Sequence, residues 1–288
     1  MEKYYIWLIL AFGEGSPDIT RLLRDHGSAE NAYEAFRENR VLVGAENAMK
    51  AGQITLEKAE KTLADIRKLG IQTVTIDSAD YPETLRKIEN PPCMLFASGN
   101  TKLLRNRLLT VVGSRAMTDY TQFAIPKIIS DFGGRYTIVG TLSEGCDQMT
   151  CMSAVKYNTP FIEVMPCGLS QTYPTGSRTV RRFLLENGGL LISECLPKTR
   201  SSPLVFNRRS RILGGISKVT LVLQAGAESG ALATAEQSPE PLFLPPHSVF
   251  EKEYVGTVSA IRKGCRLFFG MADIETAFEL ADSKLAGK

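Results

Sequence analysis

Residues Leu108–Arg115 read LLTVVGSR. A run of strand length breaks at Gly113, presents a hydroxyl at Ser114 and a guanidinium at Arg115, and leads into helical periodicity from about Thr118. Strand, tight turn and helix start together form an anion site at the carboxyl edge of a parallel sheet. The glycine lets the chain turn, the helix N-terminus offers unpaired amide donors, and an arginine can grip a phosphate through two nitrogens.

The same grammar repeats on the C-terminal side. Tyr136–Leu142, Pro160–Val164, Gly189–Ser193, Val219–Leu223 and Leu242–Leu244 are short apolar runs separated by segments of helix length. Continuous apolar runs between helices mark strands buried on both faces, hence a doubly wound α/β domain with a mostly parallel sheet. On the N-terminal side, residues 1–72 read as short helices, of which Thr55–Leu69 is clearly amphipathic, and Ile71–Ile76 alternates as a strand. The expected division is a small helical domain over residues 1–72 and the α/β domain over residues 73–288.

Ligands of such sheets sit outside the carboxyl ends of the strands, so the loops there carry the candidates. They are Gly113, Ser114 and Arg115 after the first core strand, Gly145 near Asp147 after the second, and Gly168 after the third. After Ser193-Glu194 a loop begins at Cys195 and ends in Phe206, Asn207, Arg208, Arg209, Ser210 and Arg211. Between Cys195 and Arg211 the chain holds five cations (Lys198, Arg200, Arg208, Arg209, Arg211) and no acid. Ser229 and Gly230 open the helix after the next strand. Glycine, hydroxyl and arginine side chains at one sheet edge suit a phosphate polymer.

Composition narrows the classes. The 288 residues carry a net charge of only +3, so any basic surface is local. Six scattered cysteines without a CxxC pair suit reduced thiols in a cytosol. Two histidines, His26 and His247, exclude histidine-rich metal sites and make a Ser-His-Asp triad improbable. Tyr4–Phe12 is short, is preceded by one lysine and is followed at Gly13–Asp18 by acid and a turn where a cleavage site would want small residues. It therefore reads as a buried helix rather than a signal segment, and no stretch approaches the length of a membrane span. The chain lacks the G-x-G-x-x-G, G-x-x-x-x-G-K-[ST] and G-x-S-x-G signatures of dinucleotide enzymes, P-loop proteins and hydrolases. The residues therefore point to a binder rather than a catalyst, with no cofactor and no metal, located in the cytoplasm.

Six segments occur in a telling order: VVGSR (Val111–Arg115), TIVGTLSEGCD (Thr137–Asp147), MPCGLSQTYP (Met165–Pro174), GGLLISE (Gly188–Glu194), FNRRSRIL (Phe206–Leu213) and ESGALATA (Glu228–Ala235). The series resembles the DprA/Smf family of DNA-processing proteins. The resemblance implies an extended Rossmann-like domain that binds single-stranded DNA, preceded by a small all-helical, SAM/helix-hairpin-helix-like domain. It also implies a homodimer that protects incoming strands and helps to load a RecA-type recombinase during natural transformation. Arg115 and the arginines of FNRRSR would then contact phosphates, with the glycine-bearing loops lining the same pocket. The chain reads as a divergent member. Gly140-Thr141 replaces a family Ser-Gly, Cys146 an isoleucine and Cys151 a histidine. Arg209-Ser210-Arg211 stands for R-N-R, Gln224 lies where the family has glutamate, and no winged-helix module is evident after Gly264. The alternative reading is a nucleotide-binding or nucleoside-monophosphate N-glycosidase-like protein, which would need Glu194 or Glu228 to activate water.

Overall fold

A computed structural model of the chain describes residues 1–286. Five helices lead: α1 (Glu2–Phe12), α2 (Pro17–His26), α3 (Ala29–Arg37), α4 (Ala45–Gly52) and α5 (Leu56–Lys68). Ser16, Ser28 and Thr55 cap α2, α3 and α5 by accepting a backbone N–H two or three residues on. The sheet and its helices come next as β1 (Gln72–Thr75), α6 (Glu83–Arg86), β2 (Met94–Gly99), β3 (Leu108–Val112), α7 (Asp119–Phe132), β4 (Thr137–Gly140) and α8 (Cys146–Lys156). After these come β5 (Phe161–Val164), α9 (Arg178–Glu186), β6 (Leu190–Ser193), α10 (Pro203–Gly215), β7 (Val219–Val222) and α11 (Gly230–Glu236). The chain continues through β8 (Glu240–Phe243), α12 (Val255–Arg262), β9 (Arg266–Leu267) and α13 (Met271–Ala286).

The nine strands form one sheet in the order β1-β2-β6-β5-β4-β3-β7-β8-β9. From β3 the chain steps outward through β4, β5 and β6, then returns to the other side of β3 with β7, β8 and β9. All seven of these strands run parallel, whereas β1 and β2 extend the β6 edge antiparallel. The strand order reverses between β3 and β7, and the crevice outside their carboxyl ends is where a doubly wound sheet takes a ligand.

Both faces of β3 are covered, which is why its sequence is a near-continuous apolar run, broken only by Thr110. Leu109 and Val111 pack with Ile125 and Ile129 of α7, Cys151 of α8 and Phe278 of α13. On the opposite face Val139, Ile162 and Ile192 meet Ile212 and Leu213 of α10. Thr110, buried among them, donates to Leu213 O (2.7 Å) and accepts from Ser217 Oγ (2.7 Å), so its hydroxyl is satisfied.

The leading helices share one apolar cluster, built on Tyr5, Trp7 and Leu8, with Ile71, Cys93, Met94 and Phe96 of the sheet edge. Trp7 Nε1 donates to Ile54 O at 2.9 Å, which satisfies the indole inside that cluster. Strand β2 lies outside the strands expected from the sequence; it pairs antiparallel on both sides, unlike the core strands. Among the described residues no helix is long and apolar enough to cross a membrane.

Candidate nucleic-acid interface

The turn after β3 is fastened from three sides. Gly113 N–H donates to Asp147 Oδ1 (2.9 Å) on α8, and Ser114 N–H donates to Gln224 O (2.9 Å) beyond β7. Cys146 N–H donates to Ser114 O (3.1 Å). The Ser114 hydroxyl donates to Gln224 O (3.2 Å) and accepts from Gly226 N–H (3.3 Å). Buried Gln224 completes the fastening: its Oε1 accepts from Thr118 N–H (3.1 Å) and its Nε2 donates to Ala116 O (2.6 Å). A glutamate at this position would lack the donor for Ala116. The first two amides and the serine hydroxyl of the turn, expected to face a ligand, are thus engaged within the protein. The peptide N–H groups of Arg115 and Ala116, and of Gly230 at the start of α11, have no partner among the described residues.

Asp147 is the anchor beneath this turn. It is 6% exposed, and its second oxygen accepts from Thr141 Oγ1 at 2.6 Å. Burial pushes its carboxyl up to about 6, against the opposing hydrogen bonds from Thr141 and Gly113. Because the folded value lies above the unfolded one, the protonated form favours folding below pH 4, and that contribution is lost as the pH rises through about 6. The loss is about 3 kcal/mol. Asp147→Asn keeps an acceptor for Gly113 and gains a donor for Thr141. Urea unfolding is therefore expected to show a stability difference growing in the variant's favour between pH 4 and pH 7; a constant difference contradicts this environment for Asp147.

Gly145 lies directly under the turn at φ 87°, and a Cβ there would overlap Arg115 O. Gly145→Ala is expected to cost about 1–3 kcal/mol in backbone strain alone and to lift the Arg115 turn. Thermal melts and oligonucleotide binding measured on the same sample should then fall together; an unchanged melt would show that the loop tolerates the side chain.

The basic segment is a helix rather than the end of a loop. Ser202 caps α10 by accepting Val205 N–H, and Pro203 supplies the preformed first turn. At about 100° per residue, the arginines separate around the axis. Arg209, Phe206 and Leu213 turn toward the crevice, where the Arg209 guanidinium lies 4.9 Å over the Phe206 ring. Arg208 and Arg211 turn to the other side. There Arg208 donates to Glu14 O, while Arg211 pairs with Glu194 and donates to Asn90 O (2.8 Å). They form a seam between α10, the loop after α1 and the segment before β2.

A cavity of about 610 Å³ opens between these elements at the switch point. Of the residues expected from the sequence it brings together Gly113, Ser114, Arg115, Phe206, Asn207, Arg209, Ser229 and Gly230. Four lie elsewhere, each for a packing reason. Gly145 supports the turn from below; Gly168 donates to Thr199 O (2.9 Å) and lets two loops approach, since a Cβ there would overlap Leu196 O. Arg208 and Arg211 are held in the seam. Lining residues that sequence reasoning missed include Lys252, which follows β8 and carries no local signal, and Glu253; Glu228, named from the sequence only for the alternative reading, lines the cavity as well.

Among the described residues neither Arg115 nor Arg209 makes an ion pair. Arg115 is exposed; Arg209 is half-buried, and its Nε is enclosed without a hydrogen-bond partner. Burial lowers the Arg209 pKa, opposed by the charges of Asp147 and Glu163 and assisted by the neighbouring Arg115. Anions held on the two guanidinium groups would relieve their mutual repulsion.

A mostly parallel, doubly wound sheet, with free amides and two arginines lacking an ion-pair partner among the described residues at its switch-point crevice, defines the class: a Rossmann-like α/β protein. The family model for DNA recombination-mediator protein A matches residues 72–279, and the chain belongs to that family, whose curated members carry the names DprA and Smf. It is 31% identical over 222 residues to the DNA processing protein DprA of Bacillus subtilis (strain 168), spanning 75% of this chain and 74% of that protein. The X-ray structure of DprA from Streptococcus pneumoniae superposes with a TM-score of 0.73, covering 94% of this chain and 97% of that one at 22% identity. A structure of DNA processing protein A from Helicobacter pylori, described for its single-stranded DNA binding mode, superposes with a TM-score of 0.61 at 23% identity, covering 75% and 97%.

Proposed function

We propose that the chain binds single-stranded DNA in the switch-point crevice, with Arg115 and Arg209 gripping successive phosphates and the amides of Arg115, Ala116 and Gly230 adding donors. The observation that carries this reading is Arg209: half-buried, stacked on Phe206, without an ion-pair partner among the described residues, and lining one cavity with Arg115. Asp147 fits a loop-anchoring role rather than a catalytic one, since both its oxygens accept bonds from the surrounding loops. The protein is a binder, not an enzyme.

Family membership supports the wider role of protecting incoming strands in natural transformation and helping to load a RecA-type recombinase, as a cytoplasmic homodimer. The Helicobacter pylori relative described for single-stranded DNA binding supports the ligand. Gel shifts with single-stranded, duplex and RNA oligomers at two salt concentrations test the reading. The single strand is expected to bind most tightly, with affinity falling at the higher salt. Preference for the duplex, or a thermal shift produced by mononucleotides and not by oligomers, would overturn it.

A further inference from the structure

Past the turn after β3 the phosphate crevice continues, across Ala116 and Glu253, into a second hollow of about 660 Å³. Its wall carries three aromatic side chains: Tyr120 and Phe123 from the start of α7, and His247 from the segment after β8. The Tyr120 and His247 rings lie 5.7 Å apart and 34° from parallel, and Phe123 is 74% exposed. Glu251 lines the same hollow. Its carboxylate takes no hydrogen bond among the described residues; one oxygen is enclosed without a partner and the other lies 3.7 Å from His247 Nδ1.

This chemistry is unlike that of the crevice beside it. The hollow is lined by Asp119, Glu251 and Glu253 and by no lysine or arginine, so it repels a second phosphate, whereas exposed ring faces attract another flat, uncharged ring. An unfilled carboxylate accepts from an N–H at that ring's edge. A strand whose phosphate sits on Arg115 carries its bases within a few ångströms of that phosphate. Phe206 is poorly placed to receive them, because Arg209 lies over its ring and Tyr173 packs against it with centroids 5.1 Å apart.

We propose that the hollow is a nucleobase subsite, in which a base beside the bound phosphate stacks on Tyr120, Phe123 and His247 and donates an exocyclic amino hydrogen to Glu251. The subsite rests on the single-stranded DNA reading and adds a preference to it. Cytosine and adenine present an amino group at the edge, whereas thymine presents an N–H flanked by two carbonyls that a carboxylate repels. Base stacking on aromatic side chains contributes enough that removing one platform is expected to weaken binding roughly tenfold.

The test uses an oligo(dC) carrying one 5-iodocytosine, with photo-crosslinking mapped by mass spectrometry, alongside affinities for dC and dT oligomers. Crosslinks are expected on Tyr120, Phe123 or His247. Phe123→Ser and His247→Ala, both solvent-exposed and harmless to the core, should each weaken dC binding and lower the crosslink yield. Glu251→Gln should narrow the preference for dC over dT. Arg115-dependent binding with crosslinks elsewhere, and with both surface variants matching the wild type, overturns the subsite and leaves the phosphate site standing. Binding indifferent to Arg115→Glu overturns both.

Discussion

Replacing Arg115 and Arg209 together by glutamate is expected to weaken binding of a single-stranded oligonucleotide by at least about a hundredfold at moderate salt. Each hydrogen bond to a charged group contributes about 1.5–3 kcal/mol, and reversal also places two carboxylates opposite phosphates. Thermal stability should change little at Arg115, which is exposed and without an ion pair among the described residues. At Arg209 the variant also loses the stack over Phe206, so Arg209→Met, which keeps most of the bulk, is the cleaner single change. Fluorescence anisotropy with a labelled oligomer measures the effect. A double variant within threefold of the wild type would show that phosphates are held elsewhere.

Arg211→Ala is expected to behave in the opposite manner: a large loss of stability and little change in the affinity of the protein that remains folded. The Arg211 side chain is 14% exposed and that of its partner Glu194 8% exposed. Removing one member of a buried pair strands the other, at a cost of about 3–5 kcal/mol. Asn90 O and Arg208 O also lose a donor. Combining Arg211→Met with Glu194→Gln removes both charges and should restore much of the loss. Urea unfolding separates this role from phosphate contact. An Arg211→Ala protein that unfolds like the wild type but fails to bind DNA would return Arg211 to the interface.

That contrast marks where the sequence is legible. The run LLTVV speaks plainly because both its faces are buried, and the turn glycine and capping threonine fix the start of α7, so the core sheet and the position of the crevice can be read directly. In FNRRSR the residue types are informative, but their directions depend on whether the segment is loop or helix. Once Ser202 and Pro203 start a helix, the angular period sends Arg209 one way and Arg208 and Arg211 the other. Gly145 and Gly168 are legible as places of close approach, yet what approaches is another loop of the same chain. Gln224 shows a further limit. Its side chain straps a turn more than one hundred residues away in sequence, a contact that no local pattern announces. Strand β2 is hidden for a related reason, since its partners β1 and β6 are set by the topology of the whole sheet.

The salt dependence of oligonucleotide affinity tests the central claim most directly, because counterion release counts phosphate contacts. For single strands the log–log slope changes by about 0.7 for each phosphate neutralised. Arg115→Ala and Arg209→Met are each expected to make the wild-type slope shallower by about that amount, and Arg211→Ala to leave it unchanged. Identical slopes for the wild type and the first two variants, or a shallower slope for Arg211→Ala alone, would contradict a phosphate site at the β3–β7 crevice.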